Sequence, residues 1–169
     1  MRTFEKDRAD KILTELSRFS GDISSLGEPI TDDRLERFEA HLGLTLPTDF
    51  KYLLKHYNYF SLPSAEVLGL GPEFQAESLD AVYRFEHQAV GNPMFADFVP
   101  FSPDGAGNHY CLDLSRFKDG ICPVIFWQHD CEYKYRDEVE TCNDSFLDWV
   151  EEVMIGWTLE DYHYSGRAK

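Results

Sequence analysis

The chain is poor in positive charge. Its 169 residues carry 16 Lys and Arg against 31 Asp and Glu, a formal net charge of −15. Phosphate backbones are bound by clustered Lys and Arg, so this balance argues against nucleic acid as a partner and equally against an anionic membrane surface. No apolar run approaches the ~20 residues of a membrane span. The start, Met1-Arg2-Thr3-Phe4-Glu5-Lys6-Asp7-Arg8, has mixed charge and no apolar stretch of the secretory kind, so the expected location is the cytoplasm. Cysteine is limited to positions 111, 122, 131 and 142, with no Cys-x-x-Cys spacing. A zinc ribbon or dithiol motif is therefore not indicated, and free, mostly buried thiols are expected. Gly-x-Ser-x-Gly is missing, and neither Gly69-Leu70-Gly71 nor Gly105-Ala106-Gly107 extends to a phosphate-binding fingerprint. Internal repeats and low-complexity runs are absent as well.

What is present is apolar and aromatic. Hydrophobic residues make up 43% and aromatics 15%, too much for a disordered chain and enough for one domain with a real core. The densest β-prone block runs from Phe98 to Asp130. Two apolar runs flank Asp104-Gly105-Ala106-Gly107-Asn108, and a third, Pro123 to Trp127, follows a polar loop. Asp-Gly between such runs is a hairpin signal, because glycine tolerates the positive φ of the turn. Two or three adjacent antiparallel strands are expected here.

Helical spacing dominates the rest. Ile12, Leu13, Leu16 and Phe19 make one stripe in residues 4–20, which Gly21 ends; residues 22–28 read as a polar linker. Thr31 is placed to cap a helix carrying Leu35, Phe38 and Leu42, with Gly43 at its left-handed end. Pro47 opens a third helix, with Phe50, Leu53, Leu54 and Tyr57 on one face. A strand is expected over residues 64–70 and a helix from Ser78. Residues 132–140 alternate crudely and suggest a further strand, with Tyr133 and Tyr135 on one face. Asn143 or Asp144 caps a last helix whose stripe is Phe146, Trp149, Val150, Val153 and then Trp157. The tail after Glu160 reads as polar and loose. Helices, then strands, then a helix predict α+β: a single domain with a largely antiparallel sheet flanked by N-terminal helices and a C-terminal helix. The divisions read along the chain are an N-terminal helix and linker over 1–28, a main unit over 29–160 and a polar tail over 161–169.

No catalytic constellation emerges. Asp104, His109, Asp113, His129 and Asp130 are the one group of metal-ligand types, and His109, Asp113 and His129 would serve a metal-dependent enzyme. Asp104, however, has a sufficient role in the turn, Asp113 in capping the loop after its strand, and spacing fixes no third ligand; no metal and no cofactor are expected. Cys111 and His109 share a strand face, and a core cysteine is the simpler reading. Tyr57, Tyr59, Tyr133 and Tyr135 are candidates for a surface role, with core the commoner alternative.

Charge distribution is more informative. From His129 to Glu152 nine acids, Asp130, Glu132, Asp137, Glu138, Glu140, Asp144, Asp148, Glu151 and Glu152, oppose only Lys134 and Arg136. Nearly half of the net charge falls on this one stretch, whereas Met1 to Pro29 carries six acids and five bases. Such concentration costs stability through self-repulsion and suggests a face for a basic partner. The alternative is a solvated outer face.

Three segments also carry a family pattern. Ile30-Thr31 precedes a helix with Phe38-Glu39, then Leu42-Gly43 and Leu46-Pro47-x-Asp49-Phe50, ending near Asn58. Val99-Pro100-Phe101 leads through Asp104-Gly105-x-Gly107-Asn108 to Cys111-Leu112-Asp113. Pro123-Val124-Ile125-Phe126-Trp127-x-His129-Asp130 is followed by Ser145-Phe146-x-Asp148-Trp149. In this order, over most of residues 30–153, the chain resembles the SUKH superfamily of a yeast cell-wall-assembly regulator and its bacterial relatives. Members often have Asn-Gly after the third helix, where this chain has Asn58-Tyr59. The resemblance implies an α+β, non-enzymatic binding domain. It implies an immunity protein that neutralises a cognate polymorphic toxin, often a nuclease, by stoichiometric binding; the second possibility is a regulatory adaptor like the fungal relatives. Combined with the charge, it makes Asp130, Glu132, Asp137, Glu138, Glu140, Asp148, Glu151 and Glu152 the expected toxin-binding face. Leu46, Pro47, Asp104, Gly105, Gly107, Asp113 and Trp127 are then scaffold.

Overall fold

The computed structural model describes residues 3–169. Helix α1 (Lys6–Arg18) buries Ala9, Ile12, Leu13 and Leu16, and Phe19 beyond its end. Helix α2 (Asp32–Leu42) is capped by Thr31, whose hydroxyl accepts from Arg34 N; Gly43 closes it at φ 66°. Helix α3 (Thr48–His56) turns Phe50, Leu53 and Leu54 inward. Pro47 sits just before its first residue rather than inside it, with ψ 145°.

Among the described residues seven strands form two antiparallel sheets. In the first, β1 (Ser25–Leu26), β2 (Phe60–Leu62) and β3 (Ala65–Val67) lie in that order. In the second the order is β4 (Phe98–Pro103), β5 (His109–Asp113), β6 (Val124–Trp127) and β7 (Glu140–Asn143). Leu68 N donates to Phe101 O at 2.9 Å, which joins the segment after β3 to β4 and leaves β7 as the outer edge. The β4–β5 turn is held by Asp104, whose Oδ1 accepts from Ala106 N at 2.8 Å and Asn108 N at 3.1 Å. Gly105 and Gly107 there take φ 83° and 96°. Helix α4 (Leu79–Arg84) is capped by Ser78 and runs into a π-helical turn, Phe85–Ala89.

The chain closes with α5 (Phe146–Trp149), a π-helical stretch Val150–Gly156 and α6 (Trp157–Asp161). One sheet face packs on α3 and α5 through edge-on aromatic rings. Phe50 and Phe101 meet Phe146 at 4.9 and 5.3 Å between centroids, and Phe101 meets Trp149 at 4.8 Å. Such contacts add about 0.5–1.5 kcal/mol each beyond the area they bury. The other face holds a smaller cluster of Met94, Phe98, Cys111, Ile125, Trp127 and Val139. The result is α+β, with helices on an antiparallel sheet.

Several expectations need correction. Residues 132–139 are a loop with one tight turn at Arg136–Glu138, and the strand begins at Glu140. The Glu138 carboxylate takes the amides of Lys134 (2.6 Å) and Tyr135 (3.3 Å), which a strand would have given to a neighbour. Ser145 rather than Asn143 or Asp144 caps α5, because Asn143 is still paired with Val124 in the sheet. Trp157 is 41% exposed, while Thr158 is buried and meets Ser64 Oγ at 2.9 Å. The wider π turn shifts the buried stripe by one residue. The tail is tied down. Ser20 N donates to Tyr164 O at 2.7 Å, the Tyr164 hydroxyl donates to Glu15, and its ring packs tilted against Phe19 with Arg18 above it. The linker over 22–28 contains β1, and β2 was not expected at all. Strands of two and three residues are too short to show a period.

Asn58 and Tyr59 make the sharpest local feature. The buried Asn58 amide donates to Leu70 O (2.8 Å) and accepts from Leu70 N (2.7 Å). Tyr59 takes φ 98°, a region glycine enters freely and tyrosine only at a cost of about 1–3 kcal/mol. Stacking on Phe74 (5.9 Å) and a 2.8 Å bond from its hydroxyl to Glu66 offset the strain. Tyr59→Ala keeps the strain and loses both contacts. Tyr59→Gly loses the contacts and the strain together, so it should melt above Tyr59→Ala by about 2–4 °C, as ~1 kcal/mol does at this chain length. Asn58→Ala should cost more than either, about 2–3 kcal/mol, since it strands the buried Leu70 N–H and takes from Leu70 O one of its two donors. Thermal melts of the three variants check both orders.

Candidate functional site

Between the outer strand β7 and the helical segment after Ser145 lies a cleft of about 520 Å³. Cys142, Asn143, Asp144, Asp148, Glu151 and Glu152 line it, four of the six being carboxylates. Its walls follow from local chemistry. The register of β6 against β7 slips after Val124, leaving Cys142 without a cross-strand partner, a bulge that re-aims the end of the edge strand. Ser145 Oγ then accepts from Asp148 N and starts α5, which buries Phe146, Trp149, Val150 and Val153. The opposite helical face is left to Asp148, Glu151 and Glu152. Asn143 Nδ2 reaches across to Glu152 Oε2 at 3.0 Å. Burial first, then the charges of Glu140 and Glu152, push the Cys142 thiol up to about 11.

Helix α1 supplies a residue that sequence reading missed. Arg8 donates to Asp148 Oδ1 at 2.6 Å and to Glu151 Oε1 at 2.9 Å. Those two bonds, led by the one to Glu151, hold the guanidinium well above its usual range. Nothing in the sequence signals this pairing, which spans some 140 positions. It docks α1 against the acidic wall and partly neutralises it.

The expected acidic face is therefore divided. Asp148, Glu151 and Glu152 come together in the cleft, joined by Asp144, and Glu140 stands at the near end of β7. Asp130, Glu132, Asp137 and Glu138 lie on the loop between β6 and β7, outside the cleft lining. Asp130, Glu132, Asp137 and Glu140 are exposed, while Glu138 is folded onto its own loop. Arg136 turns away to pair with Asp97 and lies over the Phe95 ring. Of the four tyrosines singled out, Tyr133 packs on Trp127 at 4.8 Å and Tyr135, on the acidic loop, is 66% exposed.

The residues of metal-ligand type are dispersed into other tasks. Asp104 holds its turn. Asp113 accepts from Ser115 N and Oγ and from Arg116 Nε, capping the loop after β5. His129 Nδ1 lies 2.9 Å from Asn108 Oδ1. His109 is buried 3.9 Å from Glu86, and burial pulls its imidazole down to about 4. Among the described residues no three His, Cys, Asp or Glu side chains converge to hold a metal ion. Cys111 and Cys122 are buried free thiols, Cys131 and Cys142 partly buried ones. No helix among the described residues is long and apolar enough to cross a membrane.

Residues 29–152 match the SMI1 / KNR4 family (SUKH-1). The chain belongs to that family. Among curated proteins it is similar to the SPbeta prophage-derived uncharacterized protein YokK of Bacillus subtilis (strain 168), at 23% identity over 167 residues, covering 83% of each. Among solved structures it is similar to a protein from Pseudomonas syringae pv. tomato, with a TM-score of 0.63 and 17% identity, over 87% of this chain and 98% of that one. This likeness shows the shared fold. Arg8 and the rest of α1 lie before the matched span, yet α1 packs into the same core as α3 and α5.

Asp49, within the family's Leu46-Pro47-x-Asp49 segment, is fully buried beneath the start of α5. Burial raises its carboxyl to about 7 against the pull of the amides of Phe50, Leu147 and Phe146. Its folded pKa exceeds the unfolded one, so the native state holds the extra proton between roughly pH 4 and 7. The stability it contributes is present below that window and is lost as pH rises through it. Asp49→Asn should remove this slope. Relative to wild type its melting temperature should climb between pH 4 and 8, by the equivalent of a few kcal/mol at most. Paired melts across that range check the sign.

Proposed function

We propose that this protein is an immunity-type inhibitor that binds a basic toxin protein stoichiometrically, with the acidic surface from Asp130 to Glu152 as its contact face. One observation carries the reading: the family's fold here presents a carboxylate-lined cleft at the free edge of the sheet, continuous in sequence with an exposed acidic loop. Family membership supports a protein partner rather than a substrate. The charge supports a basic one, since complementary fields raise the on-rate and turn away wrong partners. A basic nuclease would meet both conditions. Tyr135 is the aromatic anchor of the contact, exposed in the centre of the acidic loop where such residues bind most strongly.

The roles inside the face decide which substitutions are informative. Asp148 and Glu151 hold Arg8, and Glu138 holds its loop, so reversing them damages the fold as well as the surface. Asp130, Glu132, Asp137 and Glu140 are exposed and suit the test. The quadruple Lys variant should melt within a few degrees of wild type, because surface charges contribute about 0–1 kcal/mol each. It should lose at least tenfold in affinity for the toxin. With wild type as bait in lysate of the producing strain, one basic polypeptide should be retained near one-to-one at low salt and released at high salt. Equal retention by the variant would overturn the assigned face. The absence of any basic polypeptide at either salt would overturn the proposed function.

A further inference from the structure

The cleft between β7 and the helical segment after Ser145 contains one polar group that the fold does not satisfy. Asn143 is only 8% exposed, and its Oδ1 finds no hydrogen-bond donor among the described residues. The other end of the amide sets its orientation. Nδ2 donates to Glu152 Oε2 at 3.0 Å, and exchanging O for N would set two oxygens against each other. A buried acceptor without a donor is costly and uncommon in native proteins. Asn143 is part of the cleft lining, so a donor entering the cleft reaches it.

The rest of the lining decides which donor. Its charged members, Asp144, Asp148, Glu151 and Glu152, are all acceptors. Arg8 holds one oxygen each of Asp148 and Glu151 from α1. Glu152 is held by the neutral Asn143 amide, and among the described residues no cation pairs with it. A metal ion does not suit this wall. The carboxylates are spread along the end of β7 and the helical segment, and among the described residues no three of them converge on a point. The cleft, about 520 Å³, instead has room for an extended cation that donates in several directions at once. A guanidinium has five N–H donors in one plane and pairs with a carboxylate through two of them. It also gives up its water more readily than an ammonium does.

We propose, on the toxin-binding reading above, that the cleft takes the side chain of one arginine of the partner, which donates to Asn143 Oδ1 and to the Glu152 carboxylate. Arginine is among the residues that most often dominate the energy of an interface. Asn143 and Glu152 then supply a directional contact within a face that otherwise acts through its field.

Titration of the ¹⁵N-labelled protein with N-acetyl-arginine N-methylamide, followed by NMR at about 0.15 M salt, tests this. The expected result is saturable shifts centred on the Asn143 side-chain amide and the backbone amides of Cys142, Asp144 and Glu152. The lysine analogue should bind at least fivefold more weakly, and the uncharged citrulline analogue should not saturate. Glu152→Gln, which keeps an oxygen for Asn143 Nδ2, should weaken the arginine analogue at least fivefold. Asn143→Ala should do the same, with melting temperatures of both variants separating lost binding from lost fold. Glu132→Gln, on the exposed loop outside the cleft, should leave the affinity within twofold. The proposal is overturned by shifts that do not saturate or that spread evenly over the acidic loop. Equal binding of the lysine analogue, or wild-type binding by Glu152→Gln, overturns it as well. Displacement of the analogue by millimolar calcium at constant ionic strength would overturn it in favour of a metal site. If the titration fails while the bait still retains a basic polypeptide, the arginine contact falls and the immunity function stands. If the analogue binds and no basic polypeptide is captured at either salt, the function falls, and with it the partner named here.

Discussion

Asn58 ties together segments that would otherwise have no reason to meet. Its side-chain amide completes both hydrogen bonds of Leu70, and its own N–H donates to Glu28 O at 2.9 Å. Gly27 N donates to the carbonyl of the adjacent Tyr59 at 2.8 Å, so β1 is placed from the same point. A Cβ at Gly27 or Gly69 would collide with the Asn58 carbonyl, and both positions are glycine. The end of α3, the strand β1 and the segment at Leu70 are thus fixed around one buried asparagine. Replacing the amide strands the buried Leu70 N–H and leaves Leu70 O with Arg34 as its one remaining donor.

The second constraint is electrostatic, and it divides the molecule. The acidic stretch would repel itself if left unsupported. Arg8 relieves part of that repulsion by reaching Asp148 and Glu151 from α1, and Asn143 by donating to Glu152. Elsewhere the cations are matched locally, Arg34 to Glu73, Arg37 to Asp33 and Arg84 to Asp80. Between His129 and Glu152 only Lys134 and Arg136 oppose nine acids, so nearly half of the chain's net charge of −15 is concentrated there.

What could be read from the sequence follows from how local the cause is. Thr31, Gly43 and Ser78 act within one turn of their own helices, and the Asp104-Gly105 turn within five residues, so each was legible. The apolar stripes of α1, α2 and α3 were legible for the same reason. The loop over 132–139 was not: its alternation imitates a strand, and Glu138 bonding back to Lys134 and Tyr135 has no periodic signature. The π stretch hid the displacement of Trp157, because a stripe counted at 3.6 residues per turn carries straight through it. In the candidate site the acids of 130–152 could be seen as a group, but their partition between cleft and loop depended on where β7 begins. Arg8 and Arg34 are distant in sequence from what they bind, and a single chain gives no hint of such pairs.

The π-helical stretch from Val150 to Gly156 has a consequence for how this surface can change over time. It acts as a one-residue vernier in the last helix: Phe146 to Val153 are aligned by the aromatic core, while Thr158 is aligned by Ser64. The two halves obey separate rulers, so substitutions on the cleft wall leave the terminal turn in register. Gain or loss of one residue inside the stretch does not. The acidic side chains of the cleft wall can therefore be exchanged by point replacement, whereas the length of the helix is fixed.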